Sequence, residues 1–251
     1  MKLENKEFGF DNFLAEMKKL KTEKHFDYLV TIIGEDFGPE EGLGCIYILE
    51  NTRTHERVSV KQLAKQVGDD YVVPSVYHVW ASSDLMEREV YDFLGVKFLG
   101  HPDMRRLFLR NDFEGWPLRK DFDMSPEKNQ FPMTDEPESD WTSEWNLNQE
   151  GELVETKHRL FDEDDFVINF GPNHPSTHGV LRLQTVVDGE TIKHIYPHLG
   201  YIHRGMEKMM ESMTYPQTLA FTDRLNYLCA MHHRHALVSV IEEAMGVELS
   251  D

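Results

Sequence analysis

The first 125 residues alternate between two patterns of apolar positions, and each pattern predicts one kind of element. Apolar residues three and four positions apart predict helices over residues 8–24, 60–68 and 82–95. Alternating apolar and polar residues predict strands over residues 25–34 and 75–80, with two more strands around a polar turn over 44–60. Because helices and strands do not alternate strictly, the pattern indicates an α+β domain over residues 1–125.

The helix predicted over residues 82–95 has clear signals at both ends. Asp84, followed three residues later by Glu87, predicts a capping box at its start, and Gly95 predicts its end. Arg88 and Asp92 lie four residues apart within it, a spacing that we interpret as an ordinary helix ion pair.

Residues 161–251 carry a second set of patterns, which predicts a β-hairpin followed by helices. Alternating residues on both sides of Asp188 and Gly189 predict a type I′ turn at that dipeptide. The resulting register pairs Gly179 with His198, so the loop before the hairpin is expected at its open end, beside HLGYIHRG. Methionines at helical spacing then predict a core-facing stripe, at Met206, Met209, Met210 and Met213. A longer helix is expected over residues 217–246.

An acidic segment separates the two parts. From residue 135 to residue 165 there are 12 acidic and 2 basic residues, a net charge of −10. Little periodicity is visible, and self-repulsion and proline favour an extended chain. Residues 126–160 are therefore predicted to be a protease-sensitive linker, which Trp141 and Trp145 hold against a surface.

The composition narrows the possible functions. The chain has 26 basic and 45 acidic residues and a formal net charge of −19, so a nucleic-acid-binding surface is not expected. Its two cysteines, Cys45 and Cys229, have no metal-ligand spacing and cannot by themselves hold an iron–sulfur cluster or a structural zinc. No signal peptide and no long apolar run is evident, so we expect any link to a membrane to come through a partner.

The run FGPNHPSTHGV, residues 170–180, is too rich in glycine and proline for a helix. Neither its histidine pair nor the run HHRH at 232–235 has a third ligand at a recognisable spacing, so no metal site is predicted. Patterns for nucleophilic catalysis or a phosphate-binding loop are also missing. The remaining candidates are His178, Arg204 and Tyr227, which would suit an electron acceptor with two carbonyl oxygens, because each oxygen needs a proton donor on reduction. The residues alone leave open that these side chains are only packed polar groups.

Longer motifs carry a resemblance to a known family. EREVYDFLGVKFLGHPDMRRLFL (87–109) and DFEGWPLRKDF (112–122) resemble the C subunit of respiratory complex I, the proton-pumping NADH:quinone oxidoreductase. FGPNHPSTHGVLRL, PHLGYIHRGMEKMMESMTY and DRLNYL resemble, in order and spacing, the start of its D subunit. The chain therefore resembles a fused C–D subunit. The implied fold is an α/β domain of the C-subunit type, an acidic linker, and the hairpin and helices that begin the D subunit, which is like the large subunit of nickel–iron hydrogenases.

The resemblance implies roles for particular residues. It places His174, His178 and Tyr227 around the headgroup of a quinone substrate, with His178 and Tyr227 as catalytic groups. It places Arg204 close to the terminal iron–sulfur cluster, which a neighbouring subunit holds, so this chain would bind no cofactor and no metal of its own. The implied partners are other peripheral-arm subunits, including the one with that cluster, and membrane-arm subunits. The implied location is peripheral, on the cytoplasmic side of the inner (cell) membrane.

Two departures from the family pattern affect these expectations. Asn226 stands where the family usually has aspartate, and the D-like part ends after its opening quarter, so the chain alone is expected to be inactive. One alternative is the fused large subunit of a membrane-bound nickel–iron hydrogenase, whose metal motif would need cysteine at Asn226 as well as at Cys229. Another alternative is a purely structural assembly module.

Overall fold

The computed structural model describes residues 4–125, 141–177 and 179–247. The chain divides into two compact units, Met1–His203 and Arg204–Asp251. Within the described residues, the first unit contains three sheets and two α-helices, and the second is helical. The predicted α+β class of the N-terminal part is confirmed.

A four-stranded sheet forms the centre of the first unit. Its strands are β1 (Glu4–Glu7), β2 (Tyr28–Asp36), β3 (Leu43–Glu50) and β4 (Arg57–Leu63), in the order β1-β4-β3-β2. β1 runs parallel to β4, and the other pairs are antiparallel. The predicted strand over 25–34 is confirmed as β2, and the two strands predicted over 44–60 are confirmed as β3 and β4. In both β3 and β4, alternate residues face the core.

Two helices pack on the apolar residues of this sheet. α1 (Phe13–Thr22) buries Phe13, Met17 and Leu20, and the Phe13 ring lies 5.2 Å from that of Tyr47 on β3. α2 (Ser83–Leu94) packs so closely on β2 that a Cβ atom at Gly34 would lie 2.6 Å from Leu94 Cδ1. A glycine at this point of β2 therefore permits the helix to approach the sheet.

The ends of α2 are partly as predicted. Gly95 ends the helix in the left-handed conformation, with φ of 72°. The residue before the helix is Ser82 rather than Asp84, which lies in the first turn, so the predicted capping box is wrong. Glu87 cannot serve as a cap because its carboxylate is buried against Ser75 and Val76.

A five-stranded sheet follows, and it changes two sequence-based expectations. Its strands are β5 (Lys65–Val67), β6 (Asp70–Pro74), β7 (Val96–Leu99), β8 (Trp141–Leu147) and β9 (Leu153–Arg159), in chain order across the sheet. The helix predicted over 60–68 is wrong: β4 continues to Leu63, and β5 then pairs with β6 across a turn at Gly68. The strand predicted over 75–80 is also wrong, because the chain has left β6 and turns there toward α2.

The described part of the predicted linker, residues 141–160, forms a β-hairpin. β8 and β9 pair antiparallel along their whole length, and β8 meets β7 where Leu99 is opposite Trp145. Gly100 N–H donates to the Trp145 carbonyl at 2.9 Å, and Met104 N–H donates to the Ser143 carbonyl at 3.0 Å. Backbone pairing outweighs the charge of this segment. Over residues 141–160 the predicted linker is therefore replaced by a pair of strands. Residues 126–140 lie outside the described part.

A three-stranded antiparallel sheet completes the first unit. β10 (Phe166–Phe170), β11 (Arg182–Asp188) and β12 (Thr191–His198) lie in that order. The predicted hairpin is confirmed, but its register is wrong. Asp188 pairs with Thr191, so the turn residues are Gly189 and Glu190, and a shift at Val186 and Val187 moves the register further.

The second unit contains three α-helices within its described residues: α3 (Met206–Met210), α4 (Tyr215–Thr222) and α5 (Ala230–Met245). The continuous helix expected over 217–246 is interrupted by a turn and a short 3₁₀ helix, Tyr227–Cys229. α4 begins with a capping box formed by Thr214 and Gln217, and α5 ends at Gly246. Among the helices that the structure describes, none has both the length and the apolar character needed to cross a bilayer.

Candidate functional site

The histidine-containing loop between β10 and β11 closes on itself. Asn173 and Val180 form an isolated antiparallel bridge, and Leu181 N–H donates to the Pro172 carbonyl at 3.3 Å. At Gly171 φ is 87°, and a Cβ atom would lie 2.0 Å from the Leu181 carbonyl oxygen. Only glycine fits there, so the composition of the run reflects a tightly closed loop.

His174 is exposed on this loop and is held by its neighbour. Its Nδ1 accepts a hydrogen bond from Ser176 N–H at 3.3 Å and lies 2.7 Å from Ser176 Oγ. Since Nδ1 accepts from a backbone N–H, the proton of the neutral ring is on Nε2. The ring can therefore act as an N–H donor. His178 lies outside the described residues, and its role stays a prediction.

The loop and the chain after β12 lie at the same end of the three-stranded sheet. Phe170, the last residue of β10, pairs with Leu183, while Arg182, the first residue of β11, pairs with His198 at the end of β12. The expectation that the loop lies at the open end of the hairpin is thus confirmed, although the predicted pairing of Gly179 with His198 is wrong.

The chain after β12 packs on the N-terminal part of the first unit through a cluster that we call the three-ring stack: Phe93, Phe108 and His203. The His203 centroid lies 5.0 Å from that of Phe93 and 5.6 Å from that of Phe108. The two phenylalanine rings are 5.6 Å apart and almost parallel, at 6°. At Gly200, a Cβ atom would lie 1.9 Å from the Phe108 carbonyl oxygen. The backbone therefore makes a contact that a larger residue would prevent.

A second contact joins β12 to the same surface. The Arg105 guanidinium lies over the Tyr196 ring, 5.3 Å from its centroid. Tyr196 O–H donates to the Leu160 carbonyl at 3.3 Å, and Phe161 meets the ring edge-on at 5.5 Å. The hairpin and the chain that follows it thus contact the N-terminal part of the unit at two separate points.

The surface that receives these contacts is shaped by one buried carboxylate. Asp92 Oδ2 accepts hydrogen bonds from three consecutive backbone N–H groups, those of Leu107 at 3.0 Å, Phe108 at 2.7 Å and Leu109 at 2.9 Å. Its Oδ1 accepts from Arg106 at 3.0 Å. The predicted pair of Arg88 with Asp92 is wrong, since Arg88 pairs with Asp103 at 3.5 Å. A long-range partner replaces the helical neighbour.

Asp103 links the same surface to β8. Arg105 binds its carboxylate through two hydrogen bonds, at 2.7 and 2.6 Å, and Thr142 Oγ1 donates to it at 2.7 Å. Burial raises the pKa of Asp103, but the hydrogen bonds of Arg105 and the charge of Arg88 outweigh it and hold the pKa well below its usual range. Asp103 therefore stays ionised and fixes Arg105 beneath the hairpin.

Glu87 is a second buried carboxyl group on α2. It accepts hydrogen bonds from Ser75 O–H at 2.6 Å and from Val76 N–H at 2.8 Å, and His101 Nε2 lies 3.9 Å away. Burial raises its pKa from 4.5 to about 7, although His101 and the hydrogen bonds oppose the shift. Since its side chain is fully buried, this group can influence stability rather than contact a substrate.

Arg204 and Tyr227 lie in the second unit. Arg204 is exposed and directly precedes Gly205, which caps α3 with φ of 60°. Tyr227 begins the 3₁₀ helix and is 67% exposed, and the side chain of Asn226 caps that helix by accepting from Leu228 N–H at 3.1 Å. Within the described residues no hydrogen bond joins Arg204 to Tyr227. Their predicted roles stay predictions.

The cysteine of the hydrogenase alternative has a histidine beside it. Cys229 Sγ lies 3.3 Å from His233 Nε2, four residues later. Over residues 4–125, 141–177 and 179–247, no group of three or more histidine, cysteine or acidic side chains is arranged to hold a metal ion. Two ligands do not make a site.

Sequence reasoning misses the surface formed by Asp92, Arg105 and the three-ring stack. The sequence does show the charged residues themselves, Asp92 on a helix and the adjacent pair Arg105 and Arg106 in an irregular segment. The partner of each charge depends on the fold and does not follow from spacing.

Comparison with known proteins gives a family match in the N-terminal part. Residues 9–128 match the model of the family described as "Respiratory-chain NADH dehydrogenase, 30 Kd subunit". The match covers most of the first sheet, both helices and the segment that carries Arg105 and Phe108. The resemblance of this part to a C subunit is therefore confirmed.

Similar proteins extend the match through the rest of the chain. A protein of Phocaeicola vulgatus, whose name describes a C/D subunit of NADH-quinone oxidoreductase, is 50% identical over 236 residues, which are 94% of this chain and 45% of that protein. A protein of Bacteroides thetaiotaomicron with the same name is 49% identical over 245 residues, or 94% of this chain and 46% of that protein. One from Acinetobacter baumannii is 36% identical over 213 residues, or 85% of this chain and 35% of that protein. The chain thus spans about half the length, or less, of the curated relatives that it matches.

Proposed function

We propose that this chain, whose residues 9–128 match the family model of the respiratory-chain NADH dehydrogenase 30 Kd subunit, is a peripheral-arm subunit of a proton-translocating NADH:quinone oxidoreductase. In this proposal the N-terminal part scaffolds the hydrophilic arm. The rest forms part of the site where quinone is reduced, next to the terminal iron–sulfur cluster of a neighbouring subunit. The name that the similar proteins share, which describes a C/D subunit of NADH-quinone oxidoreductase, supports the proposal.

The closed loop between β10 and β11 is the observation that carries the quinone part of the proposal. A hydrogen-bond donor helps catalysis most when its position is fixed before the substrate arrives. The bridge of Asn173 with Val180 and the steric restriction at Gly171 fix the backbone around His174. A loop without such closure would have to be ordered by the substrate, at an entropic cost.

The chemistry assigned to the site is proton donation to a quinone. Reduction to the quinol takes two electrons and two protons, and each carbonyl oxygen becomes a hydroxyl group. In the assembled complex, the cluster of the neighbouring subunit would supply the electrons. In our proposal His178 and Tyr227 each donate a proton toward one carbonyl oxygen, and His174 helps to bind the headgroup. Proton uptake by each group from solvent then restores it.

Arg204 has a different role in the proposal. A guanidinium close to an iron–sulfur cluster stabilises the reduced form, which carries more negative charge, and so raises its reduction potential. Arg204 is exposed in the second unit, as expected for a residue that acts on a group outside its own chain. Its proposed partner is therefore the subunit that holds the terminal cluster.

The same proposal gives the location and the partners. The chain would lie on the cytoplasmic side of the inner (cell) membrane and be held there by other peripheral-arm and membrane-arm subunits. It would bind no cofactor or metal itself, and quinone would be its substrate within the complex. Alone, it would have no activity.

The test is a pair of substitutions in the assembled complex. Tyr227→Phe removes only the hydroxyl group and should slow quinone reduction by about 10²-fold, the scale of a lost acid–base group. His178→Ala should have a similar effect. Electron transfer from NADH to an artificial acceptor upstream of the site should be unchanged for both. Tyr215→Phe is the matched control, because Tyr215 is a similarly exposed tyrosine, 72% accessible, at the start of α4.

The outcomes separate the candidate functions. Slow quinone reduction for Tyr227→Phe, with a normal rate for Tyr215→Phe, supports a catalytic phenol. Normal rates for Tyr227→Phe and His178→Ala in an intact complex would mean that the chain is a structural assembly module. Stoichiometric nickel in the purified protein would instead favour the hydrogenase alternative.

A further inference from the structure

We propose that His203 is a positioning residue for quinone reduction: as part of the three-ring stack, it anchors the backbone directly before Arg204 to the N-terminal part of the chain. This inference rests on the function proposed above, and it adds a residue that acts through another rather than on the substrate. It also gives the N-terminal part a defined task, that of holding the end of the β10–β12 sheet in place.

His203 packs directly on two phenylalanine rings of the N-terminal part of the chain. Its ring lies 5.0 Å from Phe93, at an interplanar angle of 27°, and 5.6 Å from Phe108, at 31°. Phe93 is 4% exposed, so its ring is almost fully buried in this packing. Aromatic pairs in offset or tilted geometries like these contribute to stability beyond the area that they bury.

A backbone contact three residues before His203 provides a second anchoring point. Gly200 lies so close to the Phe108 carbonyl that a Cβ atom would be 1.9 Å from its oxygen. The short 3₁₀ helix Gly200–Ile202 joins this contact to His203. Two anchoring points this close together in the chain fix both its position and its direction.

The backbone segment that carries Phe108 is held by a network of hydrogen bonds. Phe108 N–H, with its two neighbours, donates to the buried Asp92 carboxylate, and Arg106 closes the same segment by donating to the carbonyls of Phe113 and Gly115 at 3.1 and 3.0 Å. A buried polar network whose hydrogen bonds are made resists displacement. The ring of Phe108 is therefore a fixed support for His203.

The consequence concerns the residue that follows. Arg204 directly succeeds His203, and its proposed effect on the cluster decreases with distance because it is electrostatic. If the backbone before Arg204 is released, the guanidinium samples more positions, and the cluster becomes harder to reduce. A displacement of about 1 Å can cost up to 10²-fold in rate when geometry matters.

The experiment uses the assembled complex with His203→Ala, and His203→Phe as the conservative variant. For His203→Ala we expect a drop of about tenfold in the rate of quinone reduction, a lower reduction potential of the terminal cluster in an EPR-monitored titration, and faster amide exchange over residues 199–205. His203→Phe keeps a stacking ring and should restore all three. His158→Ala, which alters an exposed histidine of β9 paired with Glu144, should change none of them.

Each result supports or overturns the inference. An unchanged cluster potential and unchanged exchange in His203→Ala would show that the stack positions nothing. If His203→Ala does not assemble, His203→Leu fills a similar space without stacking, and a wild-type potential in that variant overturns the inference. Normal activity of His203→Ala together with slow Tyr227→Phe would refute the positioning role alone. Normal activity of both would refute the proposed function as well.

Discussion

At the scale of single residues, two buried carboxyl groups and one partly buried carboxyl group differ in the partners that surround them. Both carboxylate oxygens of Asp92 have structural partners: one accepts hydrogen bonds from three backbone N–H groups, and the other accepts from Arg106. Glu87 has two hydrogen-bond donors and an imidazole nearby, and burial raises its pKa to about 7. Asp103, between two arginines, has a lowered pKa. The local number of donors and cations explains why the pKa values of Glu87 and Asp103 move in opposite directions.

The raised pKa of Glu87 predicts a particular dependence of stability on pH. Its folded-state pKa of about 7 lies above the ordinary value of 4.5, so folding favours the protonated form. This contribution is fully present below about pH 4.5 and is lost as the pH rises to about 7, a change of about 3 kcal/mol in the free energy of unfolding. Glu87→Gln mimics the protonated group and should remove the dependence.

The measurement is urea denaturation of both proteins at a series of pH values. The stability of Glu87→Gln minus that of the unsubstituted protein should increase from about pH 4.5 to pH 7 and then stay constant. Subtraction cancels groups such as Asp103, whose lowered pKa contributes stability that is lost at acid pH. A difference that does not vary with pH would contradict a raised pKa for Glu87.

Local chemistry predicts some of this residue-level picture, and the fold decides the rest. Gly95 as the end of α2 and Trp145 as an anchor both follow from residue type and neighbours. For Arg88, helical spacing suggests Asp92 as the partner, whereas the fold brings Asp103 to 3.5 Å. His203 stands out in the sequence only as part of a motif, because no local pattern brings Phe93 and Phe108 next to it.

At the scale of elements, β8 and β9 show how pairing can outweigh composition. The acidic composition predicts a linker, yet the strands pair over seven positions and β8 joins β7. Trp145 contacts the core, with Lys97 Nζ 3.7 Å from its ring centroid, whereas Trp141 on the same strand is 51% exposed. The predicted attachment of the segment by tryptophan is thus supported at Trp145.

This difference predicts unequal effects of two otherwise similar substitutions. Trp145→Ala should lower the free energy of unfolding by about 2–4 kcal/mol, because it removes a large packed side chain. Trp141→Ala is the control and should cost about 1 kcal/mol or less, since solvent already reaches half of the side chain. Chemical denaturation gives both values. Amide exchange over residues 141–159 should also increase in Trp145→Ala, and equal effects of the two substitutions would contradict the packing of Trp145 on the core.

Two of the elements that the sequence predicts wrongly have a common physical cause. Over residues 60–68 the apolar spacing suits a helix as well as strands, and pairing with β3 at residues 60–63 and with β6 at residues 65–67 decides between them. At 75–80 a β-like composition occurs in a turn, because Glu87 of α2 binds Ser75 and Val76 there. The hairpin register differs because the turn uses Gly189 and Glu190. In the first two cases, contacts with other elements override local preferences.

At the scale of the whole molecule, the first unit combines a family-matched N-terminal part with the strands that carry the histidine-containing loop. Residues 9–128 match the 30 Kd subunit family, yet the compact unit extends to His203. The predicted domain boundary at residue 161 therefore differs from the boundary of the compact unit. Contacts of Arg105 with Tyr196 and of Phe108 with His203 explain the difference. In our proposal, this continuity lets the scaffold position the quinone site.

The most direct test of the central claim is the labelling of the assembled complex with a photoreactive quinone. After illumination, peptide mapping by mass spectrometry should find the label on residues 171–181 or on the turn around Tyr227, and excess unmodified quinone should prevent it. Labelling confined to other subunits, or unaffected by competing quinone, would contradict the proposal that this chain forms part of the quinone-reduction site.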